Sequence, residues 1–363
     1  KSMQKVKVSL ADRSYDVIIG SDILNQLGNF IIEAGLGKSI AVITNDVVAP
    51  LYLEAVKTSL KGSGLRVIEI IIPDGEKYKA FETAVDIYSQ LLKAGIDRSH
   101  SIVALGGGVI GDIAGFVAAT YLRGIPFIQV PTTLLAQVDA SVGGKVGINL
   151  PQGKNMVGAF YQPKFVFIDV DVLFTLRKEV FVEGFSEVIK HGVIKSEKYF
   201  SLIENNVKKL LNLDKDLLIE TVVGSVRIKA DVVSNDERES SLRVILNYGH
   251  TIGHAIETLT GYTCFLHGEA VSLGMAAAGK AAVLKGLFSE KDLERQNNLL
   301  KSIGLPVNVR NVKGEEIIPL LQVDKKVKDG RVKFILPEKI GKVLITDDVK
   351  VGILKRSLSS IIS

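Results

Sequence analysis

The stretch SIVALGGGVIGDIAGF, residues 101–116, decides the fold of this chain. It opens as a short apolar strand, turns through three consecutive glycines and continues with the pattern of a buried helix. Gly106, Gly108 and Gly111 have the G-x-G-x-x-G spacing, which lets backbone amides approach a pyrophosphate at a helix N-terminus. A tight strand-to-helix turn that binds no ligand would produce the same letters. The stretch therefore indicates a strand–turn–helix unit and leaves both explanations of its glycines open.

Strands and helices alternate on both sides of this unit. A hairpin is predicted from residues 4–9 and 15–19, where apolar and polar residues alternate. Apolar runs typical of buried strands follow at residues 39–44, 65–72, 126–130 and 165–169, with a helix at about 80–94. Alternation at this spacing predicts a parallel sheet covered by helices, which is a Rossmann-like α/β nucleotide-binding domain.

From about residue 177 onward the apolar periodicity becomes helical. Helices are predicted over residues 181–195, 197–211, 216–237, 253–259, 270–284 and 289–303, and a late hairpin or loop near 327–342. A chain of 363 residues also exceeds the length of about 250–300 residues at which single cores stop growing. We therefore predict an α/β nucleotide-binding domain at residues 1–177 and a mainly helical metal- and substrate-binding domain at residues 178–363.

Composition and charge exclude several classes of function. The net charge is +5, but lysines and arginines are scattered rather than gathered in a stripe, so we expect no nucleic-acid partner. The apolar run at residues 101–122 contains Asp112 and several glycines, so we expect no membrane span. Residues 1–10 are polar and lack the apolar core of a signal peptide, and the single cysteine, Cys264, fits a reducing compartment. These features predict a cytoplasmic protein.

Three of the five histidines fall within 18 residues, at His250, His254 and His267. His250 and His254 are one helical turn apart and therefore share a helix face. Histidines gathered in this way are typical of a metal site or of proton transfer. A chance cluster with structural roles is the competing interpretation.

Polar residues also follow the predicted strands. The acidic residue that usually binds the ribose, about 20 residues beyond the glycine turn, is absent, because that region reads FIQVPTT. Asn45 and Asp46 follow the strand at residues 39–44, and either could bind the adenosine ribose. Glu76 and Lys79 follow the next strand and could face the same crevice.

Six long motifs give the chain a resemblance to a known family. In chain order they resemble the motif series of the 3-dehydroquinate synthases, which belong to the sugar phosphate cyclases, and the resemblance extends from about residue 40 to residue 335. The motifs are GGGVIGDIAGFVAATYLRG (106–124), VPTTLLAQVDASVGGKVGIN (130–149), GKNMVGAFYQP (153–163), GFSEVIKHGVI (184–194), LRVILNYGHTIGHAIE (242–257) and LHGEAVSLGM (266–275).

The resemblance implies one multistep reaction. Members of this family convert 3-deoxy-D-arabino-heptulosonate 7-phosphate (DAHP), a phosphorylated sugar acid, into 3-dehydroquinate and inorganic phosphate. An alcohol is oxidised, phosphate is lost by β-elimination, the ketone is reduced and the opened ring closes by an aldol step. The family uses NAD, which is regenerated in each turnover, and a divalent metal, most often zinc, with cobalt as an alternative. The product enters the shikimate pathway to chorismate and the aromatic amino acids.

The resemblance also implies a division of labour among the histidines. It makes Glu187, His250 and His267 the metal ligands and leaves His254 as a proton carrier near Glu239. One carboxylate and two imidazoles suit zinc with an open coordination position. Spacing alone would have paired His250 with His254 as ligands, so the resemblance changes that interpretation.

The remaining site residues are implied position by position. Catalytic roles are expected for His254, Lys145, Glu239 and Asn155. Substrate contacts are expected from Arg123, Asp139, Lys145, Asn155, Lys190, Lys229, Arg243, Asn247, His254 and Lys326, with Lys325 as an alternative to Lys326. Cofactor contacts are expected from Asn45, Asp46, Glu76, Lys79, Gly107, Gly108, Asp112, Thr132, Thr133, Asp139 and Lys154. Lys145 stands among glycines and valines, where a solvated surface charge is poorly placed.

The resemblance further implies a homodimer in which Arg123 reaches the substrate phosphate in the neighbouring subunit. Two other functions stay open. One is a related cyclase, such as a 2-deoxy-scyllo-inosose synthase, which acts on a sugar phosphate without a carboxylate. The other is a metal-dependent NAD(P)-linked polyol or glycerol phosphate dehydrogenase, which would accumulate NADH. Lys229, Arg243 and Asn247 favour an acidic substrate, because they supply donors for a carboxylate.

Overall fold

The computed structural model describes residues 3–310, 312–323 and 332–362. The chain forms two compact units, the first made of Lys1–Leu176 and Leu218–Arg238, the second of Arg177–Leu217 and Glu239–Ser363. The predicted partition assigned everything after residue 177 to the second domain, whereas the structure groups Leu218–Arg238 with the first unit. The predicted substrate residue Lys326, with its alternative Lys325, lies outside the described residues.

A seven-stranded sheet forms the centre of the first unit, with the strand order β1-β2-β9-β6-β5-β3-β4. Strand β1 pairs with β2 in the antiparallel sense, and every other pair in this sheet is parallel. The strands of the unit are β1 (Gln4–Val8), β2 (Tyr15–Gly20), β3 (Ser39–Asn45), β4 (Arg66–Ile72), β5 (Ser101–Gly106), β6 (Phe127–Pro131), β7 (Lys145–Leu150), β8 (Gly153–Phe160) and β9 (Phe165–Asp169).

Helices cover both faces of this sheet. Four helices follow individual strands, namely α1 (Leu27–Glu33), α2 (Glu54–Gly62), α3 (Phe81–Lys93) and α4 (Gly108–Thr120). The apolar side chains of α3 and α4 form one buried core, and those of α1 and α2 form another on the opposite side. Every residue of β5 and β3 is buried, because a strand covered on both faces has no solvent side. The predicted Rossmann-like sheet is therefore confirmed.

The β7–β8 hairpin of the first unit was not predicted. Strands β7 and β8 form a separate antiparallel hairpin. The close pairing requires glycine at two facing positions, because a Cβ on Gly158 would lie 2.2 Å from the carbonyl oxygen of Val146, and one on Gly147 would lie 2.7 Å from that of Val157. These glycines interrupt the alternation of apolar and polar residues, which concealed the strands in the sequence.

The second unit is mainly helical. No helix in the described ranges has both the length and the apolar character needed to cross a membrane. A short antiparallel pair of strands, β10 (Phe334–Lys339) and β11 (Lys342–Thr346), lies near its end. The helices in the rest of the chain are α5 (Lys178–Glu183), α6 (Phe185–Lys195), α7 (Glu197–Glu204), α8 (Val207–Leu211), α9 (Lys215–Asn235), α10 (His250–Leu259), α11 (His267–Leu284), α12 (Glu290–Ile303), α13 (Gly314–Val323) and α14 (Val351–Ser359). Most of α9 belongs to the first unit.

Helix existence was predicted better than helix ends. The helix predicted over 181–195 is divided at Gly184 into α5 and α6. The helix predicted over 197–211 is likewise divided, into α7 and α8. Helices α10 and α11 each begin three residues earlier than predicted, at the histidines His250 and His267. Both metal-ligand candidates are therefore first residues of helices.

Candidate active site

At two positions of the glycine turn between β5 and α4, close packing leaves no room for a side chain. A Cβ on Gly106 would lie 2.6 Å from the Ile110 side chain, and one on Gly111 would lie 2.7 Å from Gln129 on β6. Gly108 is different, because a Cβ there would meet only Ala140, at 3.5 Å. Gly107 precedes the helix without any side-chain cap in the described structure. The N-terminal amides of a 13-residue helix thus begin beside a glycine, which suits a pyrophosphate.

Lys79 is the centre of a polar group in the first unit. Its side chain is buried, and its Nζ lies 2.5 Å from Asp112 Oδ2 and 2.5 Å from Asn155 Oδ1. The Asn149 amide donates to Glu76 Oε1 at 2.7 Å, and Asn149 Oδ1 accepts from the Asn155 backbone amide at 2.8 Å. Four predicted site residues are thus brought together, and Asn149, which was not predicted, links them.

The charges of this group keep Lys79 cationic. Burial lowers the pKa of the Lys79 ammonium, but the carboxylates of Asp112 and Glu76 raise it, and the pKa lies above its ordinary value. Burial raises the pKa of Asp112, although the Lys79 ammonium acts in the opposite direction. The Lys79 ammonium therefore provides a positive charge near the start of α4, which the carboxylates of Asp112 and Glu76 compensate in part.

Asn45 and Asp46 lie at the carboxyl end of β3, and Asp74 follows the carboxyl end of the neighbouring strand β4. The Asn45 amide donates to Asp74 Oδ1 at 2.6 Å, and Asn45 Oδ1 accepts from the Val48 backbone amide at 2.8 Å. Asp46 accepts from the Asp74 backbone amide at 2.9 Å. Asn45 is buried, whereas Asp46 is exposed. Asn45 therefore shapes the turn after β3, and Asp46 is the more accessible carboxylate for a ribose.

Two further pairs of predicted residues belong to the first unit. Thr132 is buried, its backbone amide donates to the Gly106 carbonyl at 3.0 Å, and Thr133 Oγ1 accepts from the Ala136 amide at 3.2 Å. The buried Lys229 on α9 donates to the Asp139 carbonyl oxygen at 2.6 Å and lies 2.7 Å from its Oδ1. Lys229 and Asp139 are thus paired within the first unit, and their roles toward a substrate stay predictions.

Three predicted cations of the first unit are less buried. Lys145 is the first residue of β7 and is exposed, so the expectation that it avoids the surface is wrong. At the start of a strand in a two-stranded hairpin, a long lysine side chain can extend its ammonium into solvent although its sequence neighbours are apolar. Lys154 is half-buried on β8, and Arg123 is exposed. No burial argument supports these three residues, and their roles stay predictions.

The second unit gathers a carboxylate and two imidazoles. Glu187 on α6 is 1% exposed, and its Oε1 lies 3.4 Å from His250 Nε2. One ligand atom from each of Glu187, His250 and His267 lies within 4.8 Å of the others. Ligands about 2.0–2.2 Å from a tetrahedral zinc would stand about 3.3–3.6 Å apart. The 3.4 Å between Glu187 Oε1 and His250 Nε2 lies in this range, so the donor set fits this ion.

Backbone contacts between α10 and α11 hold the two histidines near each other. Gly249, immediately before α10, has a positive φ of 80°, and a Cβ there would lie 2.7 Å from the Val271 carbonyl oxygen. A Cβ on Gly253 would lie 2.8 Å from the Ala270 carbonyl oxygen. The first turns of the two helices therefore touch, which brings the residues that begin them into one group.

His254 lies beside both proposed ligands. Its ring centroid is 5.4 Å from that of His250 and 5.8 Å from that of His267. Burial lowers the pKa of His267, but Glu257 first and then Glu187 and Glu183 raise it, with a net direction above the ordinary value. The group is therefore surrounded by negative charge, which favours a bound cation.

Four predicted substrate or catalytic residues also belong to the second unit. Lys190 forms a short ion pair with Glu187, one helical turn away, and both side chains are almost fully buried. The Asn247 amide donates to Glu239 Oε1 at 2.5 Å. Glu239 has a positive φ of 56°, which a residue with a Cβ adopts only under constraint. Arg243 is buried, at 2% exposure.

The prediction from sequence missed Glu257. Its carboxylate is buried and lies 3.3 Å from His267 Nδ1. A signal was present, because His250, His254 and Glu257 are spaced i, i+4 and i+7 and so occupy one face of α10. Asn149 gave no such signal, since its partners Glu76 and Asn155 come from other elements.

The sequence matches two family models. Residues 69–183 match the model described as the N-terminal part of 3-dehydroquinate synthase, and residues 184–327 match the C-terminal part. The 3-dehydroquinate synthase of Thermodesulfovibrio yellowstonii is 48% identical over 358 residues, which cover 98% of this chain and 100% of the relative. That of Citrifermentans bemidjiense is 50% identical over 338 residues, 93% of each chain.

Solved structures with the same fold carry ligands. A 2-epi-5-epi-valiolone synthase from Streptomyces hygroscopicus with NAD+ and Zn2+ bound is 26% identical, with a TM-score of 0.89 over 99% of this chain and 98% of that one. A 2-deoxy-scyllo-inosose synthase complexed with carbaglucose-6-phosphate, NAD+ and Co2+ is 28% identical, with a TM-score of 0.87 over 98% and 100%. An iron-containing alcohol dehydrogenase, 18% identical with a TM-score of 0.67 and 99% coverage of both chains, shares the fold.

Proposed function

The chain belongs to the 3-dehydroquinate synthase family, and on this premise we propose which of its residues perform the chemistry of that family. The enzyme is a phosphate-eliminating carbon–oxygen lyase that converts DAHP into 3-dehydroquinate and inorganic phosphate. It uses NAD and a divalent metal, zinc or cobalt. We infer a cytoplasmic location, because the exposed thiol of Cys264 fits a reducing compartment.

The observation that carries the proposal is the group formed by Glu187, His250 and His267. We assign these three side chains as the metal ligands. When bound, the metal supplies Lewis acidity toward a substrate oxygen, and NAD supplies a reversible hydride acceptor. Lys190 compensates the charge of Glu187 through their ion pair.

The first unit is assigned to NAD. The uncapped N-terminus of α4 at Gly107 and Gly108 would donate backbone hydrogen bonds to the pyrophosphate of a bound NAD. Asp46 is the accessible carboxylate for the adenosine ribose, and Asn45 shapes the turn that presents it. The group of Lys79, Asp112 and Asn155 lies beside α4 and is assigned to the reacting end of the cofactor.

Anion recognition and proton transfer are assigned to cations and to His254. Lys145, Lys154 and Lys229 in the first unit, and Arg243 with Asn247 in the second, supply the donors that a phosphate and a carboxylate require. His254 lies beside the proposed ligands without belonging to their set, and we assign proton transfer to its imidazole. Its partner in this role is Glu239, which Asn247 holds by a hydrogen bond.

The first prediction separates the cyclase from a simple dehydrogenase. With DAHP, NAD and zinc, we expect inorganic phosphate to be released continuously without any accumulation of NADH, because each turnover returns the hydride to the substrate. Phosphate release and absorbance at the NADH wavelength are to be recorded in the same cuvette, with metal-stripped protein as the control. Net NADH formation in proportion to substrate consumed would contradict the assignment.

The cyclases of solved structure give a second candidate, since their fold matches closely at 26% and 28% identity. A related cyclase acting on a sugar phosphate without a carboxylate would not need the donors of Lys229, Arg243 and Asn247. The same assay therefore includes a six-carbon sugar phosphate that has no carboxylate. We expect turnover with DAHP alone, and preferential turnover of the substrate without a carboxylate would favour the second candidate.

We also propose that the enzyme acts as a homodimer in which Arg123 completes the partner's active site. Arg123 is exposed, and the consecutive residues Leu122 and Arg123 both have positive φ, 51° and 69°. Two adjacent side-chain-bearing residues in this region cost on the order of 1–3 kcal/mol each. A strained loop that presents a cation to solvent supports a role for Arg123 outside its own subunit.

The second prediction is a complementation experiment. Arg123→Ala and His250→Ala subunits should each be inactive alone. Mixing them should restore about a quarter of the wild-type specific activity, because random exchange makes half of the dimers mixed and each of these holds one complete site. Native mass spectrometry monitors subunit exchange. Absence of recovery despite complete exchange would mean that Arg123 acts within its own subunit.

A further inference from the structure

Glu257 is a buried carboxylate to which the proposed mechanism gives no role. It stands on α10, seven residues after His250, and its side chain is 5% exposed. Burial of a carboxylate is unfavourable unless a hydrogen bond or a cation compensates it. One of its contacts is with His267, whose Nδ1 lies 3.3 Å from Glu257 Oε2. Glu257 is therefore placed to act on a proposed metal ligand.

This contact determines which nitrogen of His267 can bind a metal. A neutral imidazole carries a proton on one nitrogen and a lone pair on the other. If the Nδ1–H group of His267 donates a hydrogen bond to the Glu257 carboxylate, the lone pair that can bind a metal lies on Nε2. The His267 ring also lies near the rings of His250 and His254, at centroid distances of 5.3 Å and 5.8 Å, but the Glu257 carboxylate is the group within hydrogen-bond distance of its Nδ1.

His250 is oriented in a corresponding way by the backbone. Its Nδ1 lies 3.2 Å from the carbonyl oxygen of Tyr248, and its Nε2 lies 3.4 Å from Glu187 Oε1. Tyr248 is itself fixed, because its buried hydroxyl donates to Gln296 Oε1 at 2.7 Å and approaches the Met275 carbonyl oxygen at 3.2 Å. The Nδ1 atom of His250 therefore faces a main-chain carbonyl oxygen, whereas the Nδ1 atom of His267 faces the side-chain carboxylate of Glu257.

We infer that Glu257 is a positioning residue, which holds His267 with Nδ1 protonated and Nε2 directed to the metal bound by Glu187 and His250. Carboxylates that accept from a ligating histidine in this way fix its tautomer and strengthen its binding. The inference rests on the proposed ligand set. It adds a residue that contacts neither the metal nor the substrate.

A different arrangement of the same atoms is geometrically available. His254, Glu257 and His267 also offer three ligand atoms within 4.8 Å of one another. If they held a cation, Glu257 would be a ligand and Nδ1 of His267 would bind the metal. The two arrangements differ in which nitrogen of His267 carries the proton, so they can be separated by experiment.

The test compares Glu257→Ala and Glu257→Gln with the wild-type protein. Zinc affinity of the metal-free protein is measured by competition with a chromophoric chelator. We expect Glu257→Ala to weaken zinc binding by about 10–100-fold, the range found when such partners are removed. Glu257→Gln should weaken it less, because its amide oxygen still accepts from Nδ1. The visible spectrum of the cobalt-loaded protein should change in the same order.

Glu204→Gln is the matched control. Glu204 accepts hydrogen bonds of 2.8–3.0 Å from Arg295 in the same unit, and it belongs to neither group of candidate ligands that contains these histidines. Its substitution should lower the midpoint of thermal unfolding while leaving zinc affinity and the cobalt spectrum unchanged. Wild-type zinc affinity in both Glu257 variants would overturn the inference without affecting the ligand set. Wild-type affinity in His267→Ala would contradict the ligand set and, with it, this inference.

A measurement on the wild-type protein covers the case in which the Glu257 variants do not fold. Nitrogen-15 NMR of histidine-labelled, zinc-loaded protein identifies which ring nitrogen carries a proton. We expect His267 and His250 each to be protonated at Nδ1 and metal-bound at Nε2. A metal-bound Nδ1 on His267, or a second zinc per chain that Glu257→Gln removes, would overturn the positioning role.

Discussion

Replacing His250 with alanine is expected to remove the bound zinc and to abolish turnover together. The remaining proposed ligands, Glu187 and His267, would leave two protein donors where catalytic zinc sites use three. Loss of the metal's Lewis acidity, worth several kcal/mol, should reduce the rate by on the order of 10³-fold or more. Glu187→Gln should have the same double effect, because Glu187 is the only carboxylate of the proposed set. Zinc content after dialysis and phosphate release from DAHP are the two measurements.

His254→Ala supplies the contrast. Its ring is as close to His250 as the ring of His267 is, with centroids 5.4 Å and 5.3 Å away, so proximity alone does not distinguish the two residues. If His254 carries protons and does not bind the metal, the His254→Ala protein should keep its full zinc content. Its turnover should fall by about 10²–10⁴-fold, the usual contribution of a general acid or base. A zinc-free His254→Ala protein together with a zinc-loaded His267→Ala protein would reverse the ligand assignment.

The parallel sheet could be predicted because its signal is local. Residues of β3 and β5 are buried on both faces, so each strand appears in the sequence as an uninterrupted apolar run between polar turns. The β7–β8 hairpin lacked such a run, since its strands carry the glycines that their close pairing requires. Its strand β8 is also largely exposed, which leaves little apolar pattern to detect.

Helix ends in the second unit depended on contacts that spacing does not encode. The predicted helix over 181–195 has a continuous helical pattern, yet it is divided at Gly184. The predicted start of α10 was three residues late, because Gly249 adopts a left-handed conformation that allows the helix to begin at His250. Tertiary packing between α10 and α11, rather than local preference, determines both starts.

Site residues that are close together in the sequence were easier to predict than those that come from distant elements. His250 and His254 share one helix, and their spacing alone placed them on one face. Glu187 comes from α6, more than sixty residues earlier, and only resemblance to a family could select it among the many acids of the chain. Glu257 was missed, although its spacing of seven residues from His250 predicts that both lie on the same face of α10. Its partner His267, however, lies on another helix.

Gly274 gives the largest expected effect on folding, because it stands where α10 and α11 touch. A Cβ at this position would lie 1.8 Å from the Gly249 carbonyl oxygen and 2.9 Å from the Gly253 amide nitrogen. Both atoms belong to the backbone, so no side chain can rotate away. Gly274→Ala should therefore force α10 off α11 and destabilise the protein by about 3 kcal/mol or more. The same displacement should move His250 away from Glu187 and weaken zinc binding.

Gly279→Ala on the same helix is the matched control. Its new methyl group would meet the end of the Leu293 side chain at 2.7 Å, with every other neighbour at 3.4 Å or more. A flexible side chain can yield, and alanine is favoured over glycine within a helix by roughly 0.5–1 kcal/mol. Thermal unfolding and chelator competition should therefore give near-wild-type values for Gly279→Ala and large losses of both for Gly274→Ala. Because His250 begins its helix immediately after Gly249, a stable Gly274→Ala protein with unchanged zinc affinity would mean that helix contact does not position the ligand.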